Sequence, residues 1–266
     1  MTESPPHRTA RPAPSQDDEG CPECHKSPAT CVCDVLPSAS LTPRTRVLIL
    51  QHPQEPDKVL GSALLAQRVL KGAVLKTGLS WRNLSAALGE EATSQRWGVL
   101  FLGTQKSSAS TAGKKPKAAA PREEEPLDVV ESPSATQQEV TVLSPKGGPR
   151  DEQGLDGIVV LDGNWRQAKA LWWRNAWLLK LNRIVLSPKN PSLYGSLRRE
   201  PRRESVSSLE AIALSLGALE ESPEIKNALL SLFRKFLQRC RDSGVKPSAP
   251  PRHKGRPRRG RARTPR

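Results

Sequence analysis

The chain of 266 residues predicts an α/β fold, a mostly parallel sheet flanked by helices, with an N-terminal zinc-binding segment ahead of it. Three observations carry that reading. Short apolar runs alternate with stretches of helical periodicity, the pattern of strands joined by helical crossovers. One run, Gly157-Ile158-Val159-Val160-Leu161, leads directly into a segment where Trp165, Ala168, Trp172, Ala176 and Leu179 recur at helical spacing. Four cysteines, Cys21, Cys24, Cys31 and Cys33, fall within thirteen residues before the first strand pattern.

Residues 1–20 are polar and proline-rich and read as a disordered leader without an apolar signal core. Residues 21–43 form the four-cysteine segment, and residues 44–242 the main domain. Within it, Thr45 to His52 reads as a strand. Lys58 to Lys71 reads as an amphipathic helix with Val59, Leu64, Val69 and Leu70 apolar, and Gly98 to Gly103 as another strand. Residues 106–153 contain no Phe, Trp or Tyr and are rich in Ser, Ala, Pro, Lys and Glu. Such a segment buries too little apolar surface to offset its ordering entropy, so it is expected to be a flexible insertion. Order resumes with the strand at 157–161, a helix from Trp165 to Lys180 and a short strand from Arg183 to Leu186. A basic loop, Ser187 to Arg203, follows. Ser207-Ser208-Leu209-Glu210 has capping-box spacing and opens a helix over Leu209 to Leu219. Ser222-Pro223-Glu224 supplies an N-cap, a first-turn proline and a favourable acid for a last helix ending near Arg239. Residues 243–266 form a basic disordered tail.

Composition narrows the function classes. The formal charge is +15 and the sequence pI is about 10.1. That balance favours a polyanionic partner. Nine of the positive charges lie after Asp242, where no acid remains. Arms of this kind bind nucleic-acid phosphates through counterion release. No run approaches the roughly 18 apolar residues of a membrane helix, so no membrane association is expected. Without a secretory signal the expected location is cytoplasmic, or nuclear in a eukaryotic source.

The cysteines Cys21-x-x-Cys24 and Cys31-x-Cys33 suit one tetrahedral metal, and a structural zinc is the reading for all four. Disulfides are the weaker explanation in a chain without a signal peptide. His25 is near, but four thiols leave it no vacancy, and Cys240 stands alone late in a helix. Asp162-Gly163-Asn164-Trp165 lies where a strand turns into a helix, at the carboxyl edge of the predicted sheet, where ligands bind in α/β folds. Either Asp162 or Asn164 could instead simply cap that helix. His52-Pro53-Gln54-Glu55 follows another strand. Tyr194, the one tyrosine, leads into Arg198-Arg199-Glu200-Pro201-Arg202-Arg203, suited to a phosphate backbone. Ser207, Ser208 and Glu210 are accounted for by the capping box, although the same helix start can hold a ligand carboxylate.

Taken in order, these segments resemble the DTW-domain family of tRNA-uridine aminocarboxypropyltransferases. The likeness covers the Cys-x2-Cys-x6-Cys-x-Cys head, Gln51-His52-Pro53-x-Glu55, Leu161-Asp162-Gly163-Asn164-Trp165, the loop from Tyr194 to Pro201, and Ser208-Leu209-Glu210-Ala211-Ile212-Ala213. Asn164 stands where the family usually has threonine, and Ser208 where threonine is common. The resemblance implies a fold related to the knotted SPOUT methyltransferases. It also implies S-adenosylmethionine as donor of a 3-amino-3-carboxypropyl group to N3 of a tRNA uridine, with methylthioadenosine released. tRNA is then the expected partner and DNA is not. On this reading Asp162 and Trp165 are catalytic, Asp162 as base and Trp165 against the nucleobase or adenine. Gly163, Asn164, Ser207, Ser208, Leu209 and Glu210 bind the donor, with Glu210 or Glu55 facing its ammonium. His52, Glu55, Tyr194, Arg198 and Arg199 bind substrate. The alternatives are an S-adenosylmethionine-dependent RNA methyltransferase on the same fold, and a non-catalytic zinc-containing RNA-binding protein.

Overall fold

A computed structural model describes residues 20–100, 139–150, 154–198, 205–220 and 222–247. The leader up to residue 19, residues 106–138 and 151–153 of the expected insertion, Arg199 and the tail from 248 onward lie outside those residues. The described part contains one six-stranded sheet of order β2-β1-β5-β3-β6-β4. Its strands are β1 (Arg46–Gln51), β2 (Val74–Thr77), β3 (Trp97–Leu100), β4 (Val140–Leu143), β5 (Gly157–Asp162) and β6 (Asn182–Leu186). All pairings are parallel except that of β4 with β6. The helices are α1 (Ala63–Val69), α2 (Leu84–Leu88), α3 (Trp165–Arg174), α4 (Ser208–Leu219) and α5 (Pro223–Asp242).

The central strands β1 and β5 are apolar between their ends, over Val47–Leu50 and Ile158–Leu161, because helices cover both faces. Val47, Ile49, Ile158 and Val160 pack with α1, α4, α5 and the cysteine segment. Leu48, Leu50, Val159 and Leu161 pack with α2 and α3 on the opposite face. This alternation decides the site. Gln51 and Asp162 are register partners at the last position of β1 and β5. By the two-residue period both continue the face that packs against α4.

The order β2-β1-β5-β3-β6 reverses direction between β1 and β5. From β1 the chain leads through α1 to β2 on one side, and from β5 through α3 to β6 on the other. The crevice beyond the carboxyl ends of two such strands is where open α/β sheets bind ligands.

Several expected boundaries are corrected. The helix expected over Lys58 to Lys71 forms only over α1, because the carbonyls of Lys58, Val59 and Leu60 accept bonds from the distant Lys26 Nζ and Tyr194 hydroxyl. The helix expected to Lys180 stops at Arg174 and continues as a separate 3₁₀ turn, Ala176–Lys180. The buried Asn175 breaks it, donating to the carbonyls of Leu79 and Leu171 and accepting from Trp81 N–H. Strand β4 lies inside the segment assigned to the 106–153 insertion, and β2 and α2 were not anticipated. β4 and β2 are edge strands of four residues each, too short to carry a periodic signal.

Candidate active site and metal centre

Asp162 ends β5 and is buried, with 6% of the residue exposed. Gln51 Nε2 donates to Oδ2 at 3.0 Å, and Ser208 Oγ, on the first residue of α4, donates to Oδ1 at 2.5 Å. Thr77 Oγ1 in turn donates to Gln51 Oε1 at 3.1 Å, which fixes the amide so that its NH₂ faces the carboxylate. Asp162 is thus held by β1, β2 and α4 together, with the positive end of α4 beside its charge. It is not the cap of α3. Asn164 is: its side chain accepts from the N–H groups of Arg166 and Gln167, and Gln167 Oε1 accepts from Asn164 N–H at 2.7 Å. Gly163 is required between them, because a Cβ there would stand 2.8 Å from the Cβ of Gln167.

The loop after β1 closes the other wall. His52 N–H donates to the carbonyl of Asp162, and its Nδ1 accepts from Gln54 N–H. Glu55 is 6% exposed. Burial raises its carboxyl above the usual range, and the Asp162 charge adds to this while Arg198 and the Gln167 amide oppose it. Gln167 also reaches Gln54 Oε1 at 3.4 Å, so one amide ties the loop after β1 to the turn after β5. Trp165, at the first position of α3 and three residues after Asp162, is 36% exposed.

The α4 start divides its residues. Ser207 caps the helix, accepting from Glu210 N–H, and Leu209 is fully buried. The Glu210 carboxylate accepts from Ser207 N–H, Ser192 Oγ and Leu193 N–H, so it anchors the loop before α4. Leu209 N–H donates to Ser62 Oγ at 3.4 Å. Tyr194 is 1% exposed, its hydroxyl donates to Leu60 carbonyl at 2.8 Å, and its ring meets Phe233 edge-on at 5.3 Å. The Arg198 guanidinium stacks over the same ring at 5.2 Å. The structure therefore brings Asp162, Glu55, Trp165, Ser208, Asn164 and His52 around one crevice, and places Tyr194, Leu209 and Glu210 in the packing beneath it. Gln51 and Gln167 belong to the crevice but drew no role from the sequence. The Asn164-x-x-Gln167 spacing, a capping-box pattern, was the available signal for the second.

The four cysteine sulfurs all lie within 4.8 Å of one another, with Cys21–Cys33 at 3.8 Å and Cys24–Cys31 at 3.6 Å. A tetrahedron with ~2.3 Å zinc–sulfur bonds places its sulfurs about 3.8 Å apart, so the donor set fits one ion. Backbone N–H groups of Cys24 and Glu23 lower the Cys21 thiol to about 7, while burial and the neighbouring thiols push Cys31 and Cys33 up. A bound dication would reverse that repulsion. His25 takes no part in the cluster; it adopts the left-handed conformation, with φ of 55°, that turns the chain after Cys24. The next residue links metal segment and crevice. Lys26, 7% exposed, extends its Nζ to the carbonyls of Lys58 and Val59 and over the Phe236 ring. Burial holds its ammonium below the usual lysine range.

No helix among the described residues is long and apolar enough to cross a membrane. The family described as the DTW domain matches residues 18–241. The chain is 25% identical over 217 residues to tRNA-uridine aminocarboxypropyltransferase 2 of Macaca fascicularis, covering 82% of this chain and 62% of that protein. It is 25% identical to the Drosophila melanogaster protein of the same name, covering 85% and 76%. Identity is again 25% to tRNA-uridine aminocarboxypropyltransferase A of Arabidopsis thaliana, covering 86% and 83%. No solved structure gives a significant match.

Proposed function

The chain belongs to the DTW-domain family, and from that membership we propose that it transfers the 3-amino-3-carboxypropyl group of S-adenosylmethionine to N3 of a uridine in tRNA. The observation that carries the reading is Asp162, a buried carboxylate oriented by Gln51 and Ser208 at the sheet's switch point. When bound, S-adenosylmethionine supplies a sulfonium-activated carbon, and methylthioadenosine is the leaving product.

This chain's residues then have distinct tasks. Asp162 accepts the imide proton of N3 as the nitrogen forms its bond to the γ carbon and the carbon–sulfur bond breaks toward sulfur. Gln51 and Ser208 keep the carboxylate pointed by donating to it. Glu55 faces the donor's ammonium, a role for which Glu210 is unsuited because three donors already occupy it. The first turn of α4 receives the donor carboxylate at Ser208 N–H. Trp165 packs on a flat ring of substrate or donor. Arg198 and the basic tail contribute phosphate contacts. A zinc ion held by Cys21, Cys24, Cys31 and Cys33 is structural, and through Lys26 it steadies the loop that carries Glu55. Kinship with the knotted SPOUT methyltransferases belongs to the same reading, as does a cytoplasmic or nuclear location.

Incubating the purified protein with bulk tRNA and S-adenosylmethionine, followed by nucleoside mass analysis, tests the proposal. An aminocarboxypropyl increment on uridine is expected. A methyl increment identifies an RNA methyltransferase instead, and unchanged nucleosides in a protein that binds tRNA identify a non-catalytic binder.

A further inference from the structure

Helix α3 starts at the crevice and runs away from it with its outer face unlike a solvated surface. Gln167, Ala168 and Leu171 are buried against the sheet. On the opposite side, Trp165, Lys169 and Trp173 follow at intervals of four, the stacking distance of a helix face. Trp173 is 75% exposed, the highest value among the exposed large apolar side chains of the described residues, and Trp165 is 36% exposed. Trp172, half-buried, borders the same stripe. Arg166, Lys169 and Arg174 are exposed between and beside the indoles, and none of them enters an ion pair among the described residues. The charge is one-sided along the chain as well. From Gly163 to Arg199 there are eight Lys and Arg residues and no acid.

Leaving an indole in water forfeits the burial energy that a small polar residue would not need, so packing gives no reason for Trp173. Flat aromatic faces alternating with cations are the surface that unpaired nucleotides recognise: bases stack on the rings while cations follow the phosphates. Continuity supplies the occupant. The stripe begins at Trp165, three residues after Asp162, and reaches Trp173 about 12 Å further along the helix axis.

We propose that the outer face of α3, with Trp173, Lys169, Arg166 and Arg174, is a stacking platform for unpaired RNA nucleotides adjoining the target base in the crevice. The proposal rests on the tRNA reading of the crevice for its substrate, but its test does not depend on group transfer. A stretched-out loop is bound here, and a duplex is not, because paired bases present no free ring faces.

The full-length protein and its Trp173→Ala, Trp173→Phe and Lys169→Glu variants should be titrated against two fluorescein-labelled RNAs. One is a stem-loop with an unpaired uridine-containing loop, and the other a blunt duplex of equal length. Trp173→Ala should lower affinity for the stem-loop roughly 5- to 150-fold, the usual loss of one base–aromatic stack, and change duplex affinity little. Trp173→Phe should recover most of the loss, and Lys169→Glu should weaken stem-loop binding more at low salt than at high salt. Unchanged melting temperatures show that the exposed substitutions leave the fold intact. Equal stem-loop affinity of wild type and Trp173→Ala overturns the proposal. So does a Trp173→Ala variant whose only change is in binding to phosphatidylserine vesicles, or in sedimentation as a dimer. If RNA binding behaves as expected while tRNA nucleosides stay unmodified, the platform stands and the group-transfer reading fails.

Discussion

Replacing Asp162 with asparagine separates chemistry from structure at the centre of the crevice. The wild-type carboxylate receives Ser208 Oγ on one oxygen and Gln51 Nε2 on the other. The introduced amide keeps one acceptor oxygen for Ser208, but its NH₂ meets the NH₂ of Gln51. That conflict resolves if the Gln51 amide flips, since its oxygen can then accept from the new NH₂ and its nitrogen can donate to Thr77 Oγ1, a hydroxyl free to rotate. The network survives with its polarity reversed. What is lost is two charge-assisted bonds for two neutral ones, about 2 kcal/mol of stability. Turnover behaves differently. Removing a positioned base costs roughly 10²–10⁴-fold in rate, or about 3–5 kcal/mol at 1.36 kcal/mol per decade. Single-turnover rates with saturating tRNA and S-adenosylmethionine, beside melting curves, read both quantities. A Tm lower by about 4–8 °C and a rate down by at least a hundredfold is expected. Near-normal turnover in a folded variant refutes the base assignment and returns Asp162 to a purely structural role.

Glu55→Gln probes the second carboxylate. Because burial and Asp162 raise the Glu55 carboxyl, the folded state holds this proton more tightly than the unfolded chain, and stability is lost as pH rises from the unfolded value through the folded one. The variant should therefore melt higher than wild type at pH 8, with the gap closing toward pH 4, and should bind S-adenosylmethionine more weakly by calorimetry. A lower Tm at pH 8 contradicts this. Cys24→Ser should lose one equivalent of zinc in metal analysis together with thermal stability, because the unfolded chain offers no preformed site. A metal-free variant of unchanged Tm would falsify the structural zinc. Truncation after Pro247 removes eight Lys and Arg residues. It should flatten the dependence of tRNA affinity on salt, since fewer counterions are released, while leaving turnover at saturating tRNA near normal.

The central strands β1 and β5 and the helix α4 were legible because the first two are continuous apolar runs and the third carries a capping box. The edge strands were not, since Val74–Thr77 and Val140–Leu143 are four-residue pieces, too short to establish a period. Local patterns also overextended α1 and α3. Both are cut by long-range hydrogen bonds, from Lys26 and Tyr194 in one case and from Asn175 in the other, that no window of sequence contains. At the site, Asp162, Ser208 and Glu55 were named from motifs, but their meeting depends on the register of Gln51 with Asp162 and on α4 packing against that face. Tyr194 and Glu210 illustrate the opposite failure. Both stand in motifs and look available, yet one is committed to Leu60 and Phe233 and the other to three donors of a loop. The exposure of Trp173 was hidden as well, because the apolar spacing centres the stripe of α3 on Trp165, Ala168 and Trp172, whereas the helix packs on the sheet through Gln167, Ala168 and Leu171, and Trp165, Trp173 and Leu179 are left exposed.

The most direct test of group transfer follows the carbon atoms of the donor. The protein should be incubated with tRNA and S-adenosylmethionine carrying ¹³C either in the aminocarboxypropyl chain or in the methyl group, and both the nucleosides and the spent donor analysed by mass. Chain label on uridine, with methyl label recovered wholly in methylthioadenosine and Asp162→Asn suppressing both, is the predicted result. Methyl label on the nucleoside, with chain label retained in S-adenosylhomocysteine, contradicts it.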